Sequence, residues 1–466
     1  MNNSINPSKQ VLPWLTALAM FMQALDGTIL NTALPTIAVD FNQSSLEMQS
    51  VIVSYTITLA ILIPLSGWLA DKFGTKNIFS LSVIVFTIGS VLCAFSYNLP
   101  QLIGSRVIQA IGGAMMVPVA RLAILYTYPK SQLLQVMNFV TIPGLVGQVI
   151  GPTLGGFLSD NYSWHWVFLI NIPIGIIGVY LSQKKMPNFS KPVQKFDIVG
   201  LLYISIFIVS LTIIMELLSI GLTQWMILLL TALLSLISVL LYVKHSKKTQ
   251  KPIINLNLFK VDTLRIGLLG NLFTRLGVGG MPLMLPLMLQ VGYGHSASLA
   301  GLLLIPAALA NVFAKSLVVP LVKKYGYRNI LIVNTLVLGI TIASFSLTNS
   351  TTPLMYFIPL LVIFGAANSI QMSSMNTITI SDLSNETASD GNSLLAIMQQ
   401  LSNSFGVSIA ALILSLMKNV INEENNISLA FTYTFIVIGL ITAVSAYIFT
   451  RFDKNAGSDL SGHIEK

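Results

Sequence analysis

The sequence predicts an all-α polytopic membrane protein, two six-helix halves with two inserted helices, fourteen transmembrane helices in total. Three observations carry this expectation. Of the 466 residues 54% are hydrophobic and only 9% charged, with a mean hydropathy of +0.79, whereas a soluble domain has about a quarter of its residues charged. Apolar runs of about 20 residues recur from end to end, each long enough to cross the ~30 Å hydrocarbon core. Finally, "DKFGTKNI" at 71–78 returns as "KKYGYRNI" at 323–330, 252 residues later. Both follow an apolar run and precede another, and two six-helix halves around a two-helix insert produce that offset; such repeats mark transporter folds.

The helices are expected at 11–37, 48–70, 77–97, 100–126, 135–159, 165–183, 197–217, 223–243, 264–290, 298–320, 328–348, 353–380, 393–417 and 429–450. The first run has only Lys9 before it, is too long for a signal-peptide core and lacks a small-residue cleavage site, so it reads as an uncleaved first helix. With the N-terminus inside, 20 of the 25 Lys and Arg residues, from Lys9 to Lys466, fall in cytoplasmic segments, and only Lys418 falls outside. That bias predicts an even number of spans with both termini cytoplasmic. The longest loops, "QKKMPNFSKPVQKF" and "KHSKKTQKPIINLNLFKVD", are basic and flank the seventh and eighth helices as linkers. The expected division is therefore 1–190 for the first bundle, 191–262 for the inserted hairpin with its linkers, and 263–466 for the second bundle.

A net charge of +9 would suit a nucleic-acid partner, but the basic residues sit in short loops, where they report topology. The expected partners are the lipid bilayer, protons and a small-molecule substrate, with no nucleic acid. One cysteine, Cys93, excludes an intrachain disulfide, and no Cys/His cluster suggests a metal. No cofactor is expected. No GxxxxGK[ST] pattern supports an ATP-driven pump. The short outer loops argue against a membrane-embedded transferase, and any periplasmic adaptor would have to dock through them.

Ionisable residues inside spans are costly, ~2.5–3.5 kcal/mol each on insertion scales, so they mark cavities and function. Asp26 is the acid of this kind in the first half. A carboxylate protonated from one side and released to the other couples protons to transport; the competing reading is a permanent ion pair with an arginine such as Arg106. Asn31, five residues on, either lines the cavity or bonds to another helix. Arg106 and Gln109 lie one turn apart on the fourth helix and point the same way. In the fifth helix Gly147, Gly151 and Gly155 fall on one face beside Gly156, and Pro152 bends the helix; a close seam or hinge results. Gln148 adds a polar group there. In the second half Arg275 and Lys315 are basic residues within spans and lack an obvious acidic partner. Asn368 and Gln371 supply uncharged polar groups that line a cavity or bond between helices; with Asn31, Gln109, Gln148, Arg275 and Lys315 they are the residues expected at the substrate cavity.

Four stretches resemble the major facilitator superfamily, specifically its fourteen-helix drug:proton antiporter (EmrB/QacA) group. "GWLADKFGTKNIF" at 67–79 resembles the family's loop between helices 2 and 3, with Thr75 where a basic residue is usual. "RVIQAIGGA" at 106–114 resembles the helix-4 motif, with Ala110 in place of a common glycine, and "GQVIGPTLGG" at 147–156 resembles the antiporter motif of helix 5. "LDGTILNTALP" (25–35) and "WHWVFLINIPIG" (164–175) resemble signatures of the fourteen-helix group. Within it the chain looks similar to the MdtD-type multidrug transporters of Gram-negative bacteria. The resemblance implies export of small organic compounds from the inner membrane, multidrug efflux by proton-coupled alternating access, with no enzymatic activity. It implies a proton-transfer role for Arg106 and a latch at Asp71, Gly74 and Lys76 that holds one half against the other. The excess of positive charge within the spans leaves an alternative open, an anionic or zwitterionic metabolite such as an organic acid or siderophore-like compound.

Overall fold

A computed structural model describes residues 7–193, 195–220, 225–384, 387–421 and 427–458. Lys466, one of the basic residues used above for topology, lies outside them. The described residues form helices joined by short connections, as a chain in hydrocarbon must to satisfy its own backbone. Twelve of their helical segments are long and apolar enough to cross a membrane.

Two compact units emerge. The first holds residues up to Phe196 together with 296–302, and the second holds 197–295 and the rest. In the first unit α1 (Pro7–Asp40), α2 (Gln49–Phe73), α3 (Thr75–Ala94), α4 (Leu99–Thr127) and α5 (Lys130–Asn161) are followed by the single turn α6 (Trp166–Leu169) and by α7 (Asn171–Lys185). α1 packs along α5, and α4 packs against both α2 and α3. A buried cluster including Leu15, Met22, Phe79, Phe86 and Met116 joins these helices.

In the second unit α8 (Ile198–Ile220) and α9 (Trp225–Ser246) form a hairpin, and α8 leans on a later helix, α15 (Ala388–Ile421). α10 (Asp262–Val278) and α11 (Met281–Leu287) are separated at Gly279–Gly280. α12 (Ala297–Leu303) is short, and residues 296–302 belong to the first unit. α13 (Ile305–Ser344), α14 (Phe357–Thr379) and α16 (Ile427–Phe449) pack together, and α10 packs on α15 and α16. The segment 297–347 has 51 residues. At 1.5 Å per residue that is about 75 Å, more than twice a hydrocarbon core. Its break is at Gly326, whose φ of 75° and ψ of 161° are not helical.

Gly74, between α2 and α3, has φ 93° and ψ 138°. The two glycines occupy the same place in the repeated eight-residue pattern, and both adopt a backbone conformation closed to most side chains. The repeat in sequence is thus a repeat of one sharp helix–helix turn.

The chain after the last helix of each unit returns to that unit's own turn. Beyond α7, the Phe189 carbonyl accepts from Thr75 N–H (3.0 Å) and the Lys191 N–H donates to the Asp71 carbonyl (2.7 Å). Beyond α16, Phe452 is buried in one cluster with Val322 and Tyr327, and Gly457 lies so close to the Tyr327 ring that a Cβ there would be only 2.7 Å from it.

Candidate functional site

The charged centre of the first unit is assembled from five helices. Asp26 on α1 is 1% exposed and Arg106 on α4 is 2% exposed. Arg106 Nη1 donates to Asp26 Oδ2 at 2.8 Å. Gln109, one turn on, donates from Nε2 to Asp26 Oδ1 (2.7 Å) and to Ser90 Oγ of α3 (2.8 Å), while its Oε1 accepts from Arg106. Asn171, at the start of α7, donates to Asp26 Oδ1 at 3.4 Å. From α2, the Tyr55 ring lies 4.1 Å beneath the Arg106 guanidinium.

Taking an ion out of water costs several kcal/mol, and only good geometry with further hydrogen bonds offsets it. Asp26 receives both, from one cation and two amides. Three buried polar atoms of the cluster have no partner among the described residues: Arg106 Nε, Tyr55 Oη and Asn171 Oδ1. The cluster therefore holds a charge-paired acid amid further donors and acceptors that have no partner among the described residues.

Glycines let these helices approach. A Cβ on Gly89 would collide with the Gln109 backbone, and one on Gly112 with the Phe86 backbone, so the glycines beside the cluster set the α3–α4 spacing. On α5, Gly147, Gly151 and Gly155 face α1. A Cβ at 147 would meet the Phe21 carbonyl at 3.0 Å, and those at 151 and 155 would overlap Thr28 and the Ile29 carbonyl. Thr32 Oγ1 donates to the Pro152 carbonyl at 2.9 Å. Gly156 faces elsewhere, toward the Ala297 carbonyl. There Thr153 Oγ1 donates to the Gly301 carbonyl (3.2 Å) and Asp160 Oδ2 accepts from Ser298 N–H (2.7 Å).

The remaining expected residues divide. Asn31 is buried but spends its amide on the Gly27 carbonyl of its own helix (3.4 Å), apart from the cluster. Gln109 lies wholly within the ion-pair network, so its amide serves Asp26 and Ser90. Gln148 is exposed on α5. In the second unit Arg275 donates to Asn403 Oδ1 (2.9 Å) and Asn271 Oδ1 (3.3 Å), both neutral, and forms no ion pair among the described residues. Lys315 is exposed on α13, and Asn368 is half-buried with its Oδ1 unpartnered. Gln371 is fully buried and tied to α13 through Asn334 (3.0 Å) and Thr335 (2.8 Å).

At the α2–α3 turn, Asp71 Oδ1 accepts from the Tyr126 hydroxyl (2.9 Å), and Lys191 Nζ lies 3.6 Å from the Tyr126 ring centre. A Cβ on Gly74 would strike the Asn188 side chain, whose Oδ1 accepts from Lys76 N–H (3.1 Å). Gly74, the N-cap of α3, has no side chain to accept from the first turn, so Asn188 accepts there from 112 residues away. Thr75, the departure from the usual basic residue, is buried and laced to the same segment. Its Oγ1 donates to the Pro187 carbonyl (3.1 Å) and accepts from Phe189 N–H (3.0 Å).

Sequence reasoning missed Tyr55, Ser90 and Asn171. Asn171 had a signal, as a lone amide in the apolar run "WVFLINIPIG"; Tyr55 and Ser90 had none.

A profile described as "Major Facilitator Superfamily" matches residues 16–407. The chain belongs to the major facilitator superfamily. It is a multi-pass membrane transporter. It is 44% identical over 442 residues to "Putative multidrug resistance protein MdtD" of Pectobacterium atrosepticum, covering 94% of each chain. It is 42% identical over 442 residues to the protein of the same name from Salmonella heidelberg, again at 94% of each. Among solved structures it resembles a D-xylose–proton symporter, with a TM-score of 0.69 and 15% identity over 95% of this chain and 98% of the other. At that identity the likeness shows the fold alone.

Proposed function

We propose that this superfamily member is a proton-coupled antiporter of the cytoplasmic (inner) membrane, exporting small organic compounds by alternating access, with multidrug efflux as its broad activity. The buried Asp26–Arg106–Gln109–Asn171 cluster is the observation that carries the reading. A carboxylate held by one arginine and two amides loses its ion pair on protonation yet keeps hydrogen-bonding partners. The names of the 44% and 42% identical relatives support efflux.

In this reading the chain is of the fourteen-helix drug:proton antiporter group. The twelve apolar segments reach that number when α1 is added and 297–347 is counted on both sides of Gly326. Both termini are cytoplasmic, on the Lys/Arg bias. Residues 1–190 and 263–466 are the two bundles, and 191–262 carry the inserted hairpin. The glycine face of α5 with Pro152 is the hinge or tight seam, and Asp71, Gly74 and Lys76 act as the cytoplasmic latch. The test uses everted vesicles energised to a proton gradient, a panel of lipophilic cations, and a pH-sensitive dye. Cation-induced collapse in wild type and its loss in Asp26→Asn are expected; equal responses from both refute the coupling.

Arg275 favours a second reading. A half-buried guanidinium whose partners among the described residues are neutral is matched by a ligand that brings a carboxylate. Organic acids in the same assay distinguish it, since collapse by acids and not by cations makes Arg275, with Lys315, the substrate contact.

A further inference from the structure

Protonation of Asp26 leaves Arg106 with an unpaired charge. The guanidinium is 2% exposed and, as in other arginines, keeps its proton throughout the working pH range. Once the carboxylate is neutral, a full positive charge stands in a low-dielectric site, where an uncompensated ion is strongly unfavourable. The partners in the guanidinium plane do not make up the loss. Asp26 Oδ2 and Gln109 Oε1 both accept from a single nitrogen, Nη1, and Nε has no partner among the described residues.

The face of the guanidinium is covered by Tyr55 of α2, whose ring centre lies 4.1 Å from Arg106 Cζ and which is 4% exposed. An aromatic face attracts a cation through its quadrupole, most strongly where water is excluded. The polar tip is not the part engaged: Tyr55 Oη has no partner among the described residues. On α4, a Cβ at Gly113 would stand 2.9 Å from that Oη, so the glycine leaves the ring room to lie beneath Arg106. The other titratable side chain at the cluster is Cys93 of α3, whose Sγ lies 3.8 Å from Gln109 Oε1. The remaining charged residues of α1–α5 and α7, from Lys9 to Lys185, lie toward the helix ends, and His165, before α6, is turned to Ser163 and Trp164.

We propose, on the antiporter reading above, that Tyr55 is a positioning residue for proton coupling, its ring face holding the Arg106 charge while Asp26 carries the proton. One proton adds to the carboxylate in this step, and neither Arg106 nor Tyr55 gives one up. Two effects favour the loaded state. The guanidinium, released from its ion pair, keeps a partner in the ring, and the negative face of the ring repels the ionised carboxylate beyond it. With the ring's potential weakened, Asp26 should load only at a higher proton concentration.

The test varies the electrostatics of the ring and leaves its shape nearly unchanged. Phenylalanine carrying no, one, two or three fluorines is placed at position 55, each fluorine drawing charge from the face. Cation-induced gradient collapse is then followed in everted vesicles over a range of pH. Tyr55→Phe is expected to match wild type, since the hydroxyl has no partner among the described residues. Along the fluorinated series half-maximal transport should move stepwise toward acid, by about one pH unit at three fluorines, a tenfold change in proton affinity. A ring that only fills space would leave the midpoint unmoved across the series, and that result overturns the proposal. A displaced midpoint in Tyr55→Phe would move the role to the hydroxyl and overturn it as well. Absence of collapse in wild type, or its survival in Asp26→Asn, refutes antiport through Asp26 and the role of Tyr55 with it. Coupled transport in wild type with a fixed midpoint refutes the role of Tyr55 alone.

Discussion

Asp26→Asn separates two contributions that one residue makes. The substitution keeps the shape and an amide able to accept from Arg106, but removes the carboxylate that pairs, among the described residues, with a guanidinium that is 2% exposed. Breaking a buried pair from one side costs about 3–5 kcal/mol, roughly a 100- to several-thousand-fold loss in the folded-to-unfolded ratio. Removing both charges is different: Asp26→Asn/Arg106→Gln leaves neutral groups that can bond to Gln109 and Asn171, and replacing a whole buried pair is often close to neutral. The melting midpoint in a single detergent is therefore expected to fall clearly in Asp26→Asn and to recover most of the way in the double variant. Gradient-driven transport in everted vesicles is expected to be lost in both. A double variant no more stable than the single one would refute the account of the pair. Proton-coupled transport surviving in either would refute the role of the carboxylate, even if the stabilities behaved as expected.

Three further outcomes are expected. Gly155→Ala places a Cβ against the Ile29 carbonyl, backbone that cannot turn aside, and should cost ~1–3 kcal/mol by overpacking; Gly144→Ala, whose nearest neighbour would be Met20 Cβ at 3.4 Å, should melt within a degree or so of wild type. Thr75→Val removes a hydroxyl that serves both Pro187 and Phe189, two part-buried hydrogen bonds worth about 0.5–1.5 kcal/mol each; limited proteolysis should then cut within 186–193 at protease concentrations that spare wild type. Arg275→Gln should abolish transport of organic acids if these are substrates while leaving lipophilic-cation transport intact, as measured by the vesicle assay; equal loss of both would assign Arg275 a structural role.

Much of this was legible because hydrocarbon is a severe solvent. It forces helices, makes each span a run of apolar residues, and makes Asp26, Arg106 and Arg275 conspicuous. Arg106 and Gln109 could be paired from their spacing alone. The long-range partners could not. Nothing in "VIVSYTIT" marks Tyr55 as the ring beneath Arg106, because that depends on the α2–α4 packing. Gln109 reads as a cavity group and Gln371 as a cavity or packing group, and only their neighbours show both amides engaged by protein. Thr75 looked like a weakened motif position; its partners lie more than a hundred residues away, where no local pattern reaches.

The return of each unit's tail to its own turn bears on how the protein is made. The first bundle's turn is fastened by residues 187–191, so its fastening is complete once Lys191 has been synthesised. Residues 296–302 follow about a hundred residues later, roughly 5–20 s at ordinary elongation rates. In synthesis, the inserted hairpin therefore separates the segment that fastens the first bundle's turn from residues 296–302 of the same unit. A chain ending at Phe196 should insert and resist protease, while one ending at Lys185, only a few residues shorter, should not.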